Sequence, residues 1–461
     1  MTTIDPQDTL PPDSPARHAF EMGRQLRKKV GRRDHATFDA REPEAAVERV
    51  LASNEGRLDE LVPVRMGRMS VSPFAFLRGS AAAMAADLAT TPTTNTRVQL
   101  CGDAHLANFG VFASPERQLV FDLNDFDETH PGPWEWDVKR LAASFVVASR
   151  QNGYAEATCR EMAWTTANAY RAWTRRYAGM KALDVWYAHI PITAVIGRVE
   201  EARRKTGLRI SLADAQRRDH MAALGKLSEK ATGGGWLFRD KPPLLVRLPE
   251  GDVRRTVVPL MRDLYVRSLP ADRRVLVEKY HLLDVALKVV GVGSVGTRCY
   301  VALFAGPAGG PLVLQVKEAR ESVLAPHVRM RSRIRHQGER VVTGQRIMQA
   351  FSDIFLGWTH SPIAGIDFYV RQLYDMKYAF DIEDLLPIGM RLTAEVCGWA
   401  LARAHARSGN PATIAGYLGR GDAFADAMAE FGARYADQTE RDHAAFVRAI
   451  KAGRIPAVSG I

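Results

Sequence analysis

Between Val98 and Asp127, two short apolar runs, VQLCGDAHLANFGVF and RQLVFDLND, flank a turn cluster of Ser114, Pro115 and Glu116. Apolar runs around such a cluster predict a β-hairpin. Its ends are unusually polar, carrying Asp103, His105 and Asn108 on one side and Asp122, Asn124, Asp125 and Asp127 on the other. Asp and Asn most often cap turns, but unpaired buried carboxylates are costly, so so many on one apolar unit point to a site. Folding about Glu116 sets Asn108 opposite residues close to Asp125, where an amide oxygen and a carboxylate can share one cation. Mg²⁺ takes such hard oxygens, usually one or two carboxylates plus water and phosphate. Asn108, Asp125 and Asp127 are therefore the expected metal ligands. Asp103, five residues before Asn108, can accept the proton of an attacking hydroxyl, with His105 beside it as the second catalytic candidate.

The rest of the chain has two textures. PFAFLRGSAAAMAADLA, Pro73 to Ala89, reads as one Ala-rich helix, and from about 137 to 230 the spacing stays helical, most clearly in LAASFVVASR and MAWTTANAYRAWTRRY. From Val285 the runs turn β-rich, in VALKVVGVGSVGTRCYVALF and GGPLVLQVKEA. GERVVTGQRIMQAFSDIF predicts a helix with Val341, Met348, Phe351 and Phe355 on one face, DFYVRQLYDMK a further strand, and the last 80 residues helix again. With 461 residues, 46% of them hydrophobic, there is material for a large core or two domains. No run approaches the roughly 18 apolar residues of a membrane span, and the N-terminus lacks the regions of a signal peptide, so a cytoplasmic protein is expected. Cys101, Cys159, Cys299 and Cys397 are too scattered for a disulfide framework or a zinc site and are expected in the core. The net charge of +11 favours acidic ligands. The densest basic stretch, Arg24, Arg27, Lys28, Lys29, Arg32 and Arg33, lacks interleaved aromatics, and a solvated helical face is preferred to a nucleic-acid arm.

A second constellation is Gly291, Gly293, Ser294 and Gly296 in VVGVGSVGTRCYVALF, followed by Lys317 in LVLQVKEA. A GxGxxG alone is a weak signal. With β-rich residues on both sides it fits a glycine turn that covers ATP phosphates better than a dinucleotide fold, in which it would open a helix. Lys317, embedded among Leu312, Val313, Leu314 and Val316, then has the place of a phosphate-gripping lysine. Glu339, at the head of the predicted helix, is its candidate partner, with Glu318 and Glu321 nearer in sequence. Asp137, in Trp136-Asp137-Val138, either caps a helix or braces the catalytic loop.

GDAHLANFG followed by NDFDETHPGPWEWDVKRLA resembles the GDxHxxN loop, metal-binding aspartate and downstream Asp-Leu-Ala of aminoglycoside phosphotransferases and choline kinases. SPFAFLRG, GDAHLANFG, VGVGSVGTR, LQVKEA, QRIMQAFSD and LARAHARSG together resemble the bacterial domain of unknown function 2252 family, grouped with protein-kinase-like folds, over nearly the whole chain. The resemblance implies an α+β, two-lobed kinase-like fold with a large helical lobe and a small antiparallel-sheet lobe. It implies ATP and Mg²⁺ as cofactors, Asp103 as base, Asn108 and Asp125 as metal ligands and the glycine turn with Lys317 as phosphate grip. Asp122 and Asp137 are expected as supports. The order departs from ordinary kinases, because Asp103 precedes Gly291 by about 190 positions; a circular permutation accounts for that, tolerable when the joined termini lie close at the surface. The expected division is a basic arm and helix over 1–60, a helical lobe with the catalytic loop over 61–284, a β-rich phosphate-binding lobe over 285–378 and packing helices over 379–461. The function expected is phosphoryl or adenylyl transfer from ATP to an unidentified hydroxyl on a small molecule or protein. Two rivals are a metal-dependent phosphohydrolase, which needs further histidines and two metals, and a non-catalytic nucleotide-binding scaffold.

Overall fold

The computed structural model describes residues 10–196, 225, 227–230, 235–252, 257–373, 381–383 and 385–460. The architecture is α+β. Five helices come first: α1 (Pro15–Leu26), α2 (Pro43–Ala52), α3 (Val62–Ser70), α4 (Pro73–Gly79) and α5 (Ala81–Leu88). Pro73–Ala89 is thus two helices rather than one. Ser72 caps α4 through Ala75 N (3.1 Å), and the helix stops where the Gly79 carbonyl accepts a hydrogen bond from buried Arg65 Nη2 (2.9 Å). At Gly79 a Cβ would lie 2.5 Å from Met69 Sδ, so the chain turns there with no room for a larger residue.

β1 (Arg97–Leu100) leads to the hairpin β2 (Phe109–Ala113) and β3 (Leu119–Leu123), with Phe109 opposite Leu123 and Gly110 opposite Asp122. β4 (His130–Pro133) returns antiparallel to β1. The helical body follows as α6 (Glu135–Gln151), α7 (Glu156–Ala178) and α8 (Ala182–Tyr187), and the part of the predicted helical stretch over 197–224 lies outside the described residues. α6 is buried on all sides from Glu135 to Ser149, which makes it a central helix.

Further on, β5 (Ser228–Lys230) pairs with β6 (Trp236–Phe238), and β7 (Leu245–Arg247), α9 (Ala271–Val277), β8 (His281–Lys288), β9 (Cys299–Ala305) and β10 (Pro311–Glu318) come next. α10 (Gln337–Met348), β11 (Gly357–Ser361) and β12 (Ile366–Gln372) precede α11 (Pro387–Ser408), α12 (Pro411–Leu418) and α13 (Ala423–Lys451). One six-stranded antiparallel sheet has the order β11-β12-β10-β9-β8-β7. It takes in β7, upstream of residue 285, and Tyr265, Leu269 and Val277 share a core with Val285, Leu314 and Val316. The tail of DFYVRQLYDMK, 374–377, lies outside the described residues.

α10 ends at Met348, short of Phe351 and Phe355. Gln349 turns extended because the hairpin competes for the chain: Gln349 Nε2 donates to Leu123 O (2.7 Å) and Ala350 N to Asp122 Oδ2 (3.0 Å). In the N-terminal basic stretch, Arg27 Nε donates to Tyr417 O (2.7 Å) and Arg32 Nη1 to Leu418 O (2.8 Å). These two cations sit on the last carbonyls of α12, where the helix dipole favours them. All four cysteines are buried and free. Among the described residues, no helix is long and apolar enough to cross a membrane.

Candidate functional site

The loop between β1 and β2 is held from behind. Asp137, in the first turn of α6, accepts from Cys101 N (2.7 Å) and Gly102 N (3.0 Å), and its Oδ2 lies 3.1 Å from His405 Nε2 on α11. Tyr170 OH on α7 bonds the other nitrogen of His405 (2.9 Å). Asp137 is therefore a brace, and the helix behind the loop carries His405. Gly102 has φ +86° and a Cβ there would stand 2.1 Å from Glu128 O. Only glycine lets the loop lie against residues 125–129.

Within the loop, Asn108 Nδ2 donates to Asp103 O (2.7 Å) and Asn124 N to Asn108 O (2.9 Å), which brings Asn108 beside Asp125 as the hairpin geometry predicts. Asp103 Oδ1 is gripped by Nε and Nη2 of Arg140, a buried residue of α6 that also reaches Leu77 O (3.0 Å). Oδ2 of Asp103 lies 3.7 Å from His105 Nε2. Burial raises the Asp103 carboxyl above its ordinary range, against the pull of Arg140. Burial, with Arg140 and Arg78 nearby, holds His105 far below its usual value, so the imidazole is neutral. Its ring meets Phe74 edge-on at 6.4 Å.

From the sheet, Lys317 lies in the buried run of β10, cross-strand from Cys299 and Tyr369. Its Nζ forms a close ion pair with Asp127 Oδ2 and lies 3.9 Å from Asp125 Oδ1. Tyr369 OH donates to Asp127 Oδ1 (2.7 Å) and Ser294 Oγ reaches Asp127 Oδ2 at 3.4 Å. The two carboxylates overcome the burial penalty and raise the lysine well above its ordinary value. Asp127, expected among the metal ligands, has both oxygens engaged by Lys317, Ser294 and Tyr369. Glu339 stands elsewhere: the ion pairs described for Lys317 are to Asp127 and Asp125, whereas Glu339 N bonds His336 Nδ1 (3.2 Å) at the start of α10. Glu318 pairs with Arg298 (3.1 Å). The acid for this lysine comes from the hairpin because β10 and β12 present Lys317 and Tyr369 toward it, while α10 turns Arg340 to Asp127 O (2.9 Å). Asp122 is a buried support, bound twice by Arg403 Nη2 (2.7 and 2.8 Å).

These parts enclose one cavity of about 380 Å³. Asp103, His105, Asn108, Asp125 and Asp127 line it from the hairpin side, and Gly291, Gly293 and Ser294 from the turn between β8 and β9. Gly291 (φ +64°) and Gly296 (φ +86°) shape that turn. Sequence reading missed the arginines on the same wall, Arg57, Arg65, Arg78 and Arg320, and also Glu128, whose carboxyl burial pushes up to about 7. Isolated arginines look like surface residues in a sequence; the resemblance-bearing SPFAFLRG is the one signal for Arg78. A cluster with metal-ligand spacing, His336, His360 and Asp367, is not among the cavity-lining residues.

The fold and cleft thus define an α+β protein with a polar pocket, lined by both carboxylates and arginines, between a helix-braced loop and an antiparallel sheet. The chain belongs to the family described as an uncharacterized protein conserved in bacteria (DUF2252), whose family model matches residues 57–449. No curated protein and no solved structure matches it.

Proposed function

We propose that this cleft is a kinase-like transferase site, in a two-lobed protein-kinase-like fold of permuted order, moving a phosphoryl or adenylyl group from ATP to a hydroxyl acceptor. The observation that carries the reading is the Lys317–Asp127 ion pair, whose residues are 190 positions apart and whose Asp127 lines the same cavity as the glycine turn, with Lys317 buried directly behind it. A phosphate grip and a metal-and-base hairpin would have to face one cleft, and a cavity lined by both the Gly291–Ser294 turn and the Asp103–Asp127 residues supports that reading.

The donor set suits magnesium. Asn108 commits its amide nitrogen to Asp103 O, which leaves its oxygen as the remaining acceptor, and the Asp125 carboxylate lines the same cavity. These are hard oxygens of the kind Mg²⁺ takes, with phosphate and water completing the set. When bound, the ion neutralises charge on the phosphate oxygens. Lys317 exchanges part of its hold on Asp127 for phosphate, and the Gly291–Ser294 turn offers backbone N–H groups close to it. Asp103 orients the acceptor hydroxyl and takes its proton at Oδ2, since Arg140 occupies Oδ1. Catalysis of this kind is mainly positioning and charge neutralisation.

The test is incubation with Mg²⁺ and ATP labelled separately at the α and γ phosphates, with bacterial extract as acceptor source. One label is expected to move onto a hydroxyl compound. ATP-dependent thermal stabilisation without transfer of either label would instead support a non-catalytic nucleotide sensor.

A further inference from the structure

The cavity contains one cation whose role the transferase reading leaves unfilled. Arg57 donates to Val295 O (2.6 Å) and Ser53 O (3.0 Å), Arg65 to Gly79 O (2.9 Å) and Val50 O (3.3 Å), and Arg320 to Ser53 O (3.3 Å). These three tie backbone walls together. Arg78 differs. Among the described residues its guanidinium makes no hydrogen bond or ion pair, Nε is buried without a hydrogen-bond partner, and the side chain lies 6.0 Å from the Phe74 ring centre. Asp103 and Asp125 act on it electrostatically. Yet Asp103 is already gripped by Arg140, so Arg78 is not needed as its counter-ion.

Its position is equally specific. The Arg78 carbonyl lies 3.1 Å from where a Cβ of Gly293 would stand, so the tip of the glycine turn rests on this residue. Arg78 thus joins the turn that would hold the donor phosphates to the aspartate that would hold the acceptor. A guanidinium is planar, permanently charged and matched to phosphate oxygens.

We infer that Arg78 is a catalytic residue that binds the phosphoryl group in flight. This rests on the transferase reading above and assigns it an in-chain arginine for transition-state charge. In the step, the acceptor O–H proton passes to Asp103 and the acceptor oxygen forms a bond to the γ-phosphorus. The bond from that phosphorus to the β,γ-bridging oxygen breaks, and its electron pair leaves on ADP. Arg78 donates hydrogen bonds to the oxygens of the transferring group and changes no bond itself.

The experiment uses the full chain, its Arg78→Gln and Arg78→Lys variants and Asp103→Asn. The probes are ADP with Mg²⁺, with and without aluminium fluoride, which mimics the transferring phosphoryl group, and γ-labelled ATP with bacterial extract. Arg78→Gln should bind ADP within about threefold of wild type, lose the extra affinity that aluminium fluoride confers, and transfer label about 10²- to 10³-fold more slowly. Arg78→Lys should recover part of both, which a merely structural arginine does not predict. An Arg78→Gln variant that keeps the aluminium fluoride gain, or transfers label within about threefold of wild type, overturns the inference. If wild type moves label and Asp103→Asn does not, such a result removes Arg78 alone. If wild type neither moves γ label nor responds to aluminium fluoride, the phosphoryl-transfer form of the reading falls and this inference with it, whereas movement of α label in the parallel experiment would keep the adenylyl form.

Discussion

At the residue scale, two side chains carry separable predictions. Asp103 would act on the acceptor, so Asp103→Asn should lower label transfer by roughly 10²- to 10⁴-fold and leave the ATP-induced rise in melting temperature nearly intact. Equal transfer by the mutant would remove Asp103 from the base role. Lys317 should show the opposite pattern. Lys317→Met takes away the cation between Asp127 and Asp125, and the ATP-induced rise should disappear. A thermal shift equal to wild type would exclude it as a phosphate grip. These residues were legible because each stands out against an apolar run. Their partners were not. The sequence points to Glu339 on α10 as the acid opposite Lys317, whereas Asp127 lies 190 positions upstream, a pairing that only the fold creates. Arg140 and Arg78 were illegible for a related reason, since a guanidinium's burial depends on what packs over it.

At the scale of elements, the hairpin was readable because turn chemistry and strand alternation are local, and its register then put Asn108 beside Asp125. The break between α4 and α5 was not, because Ala-rich sequence favours continuing a helix. What ends it is Arg65, 14 residues away, together with Met69 packed on Gly79. The same contrast governs Asp137, whose sequence position fits a helix cap as well as a brace. Its two backbone partners decide the matter. Asp137→Ala leaves the N–H groups of Cys101 and Gly102 buried without an acceptor, which should cost about 3 kcal/mol. The urea midpoint should fall accordingly, and an unchanged midpoint would mean that the loop holds its shape without this brace.

Over the whole molecule, α6 is where local reading and tertiary structure part most sharply. WEWDVKR looks like a charged helix start facing water, yet Glu135, Asp137, Lys139 and Arg140 are all buried. Three of the four have clear duties, since Glu135 accepts from Thr94 N (2.7 Å), Asp137 braces the loop and Arg140 grips Asp103. Lys139 does not. Its Nζ lies 5.0 Å from the Phe431 ring centre and, among the described residues, has no hydrogen-bond partner. Burial brings this lysine down from its ordinary 10.5 to about 7, with Glu135 pulling weakly the other way. Between those two values the unfolded chain holds a proton at Lys139 that the folded chain has released, so the unfolded state binds more protons and folded stability rises with pH. Below about 7 both states are protonated and the contribution is flat, with the charged ammonium buried at a cost. Lys139→Met should remove that dependence. Urea midpoints of the wild type relative to Lys139→Met should therefore increase between about pH 7 and about pH 9.5. Parallel profiles would mean that Lys139 keeps its proton in the folded core, with a partner that its surroundings do not reveal. A rising difference would establish that the helix organising the site carries a buried, neutral lysine.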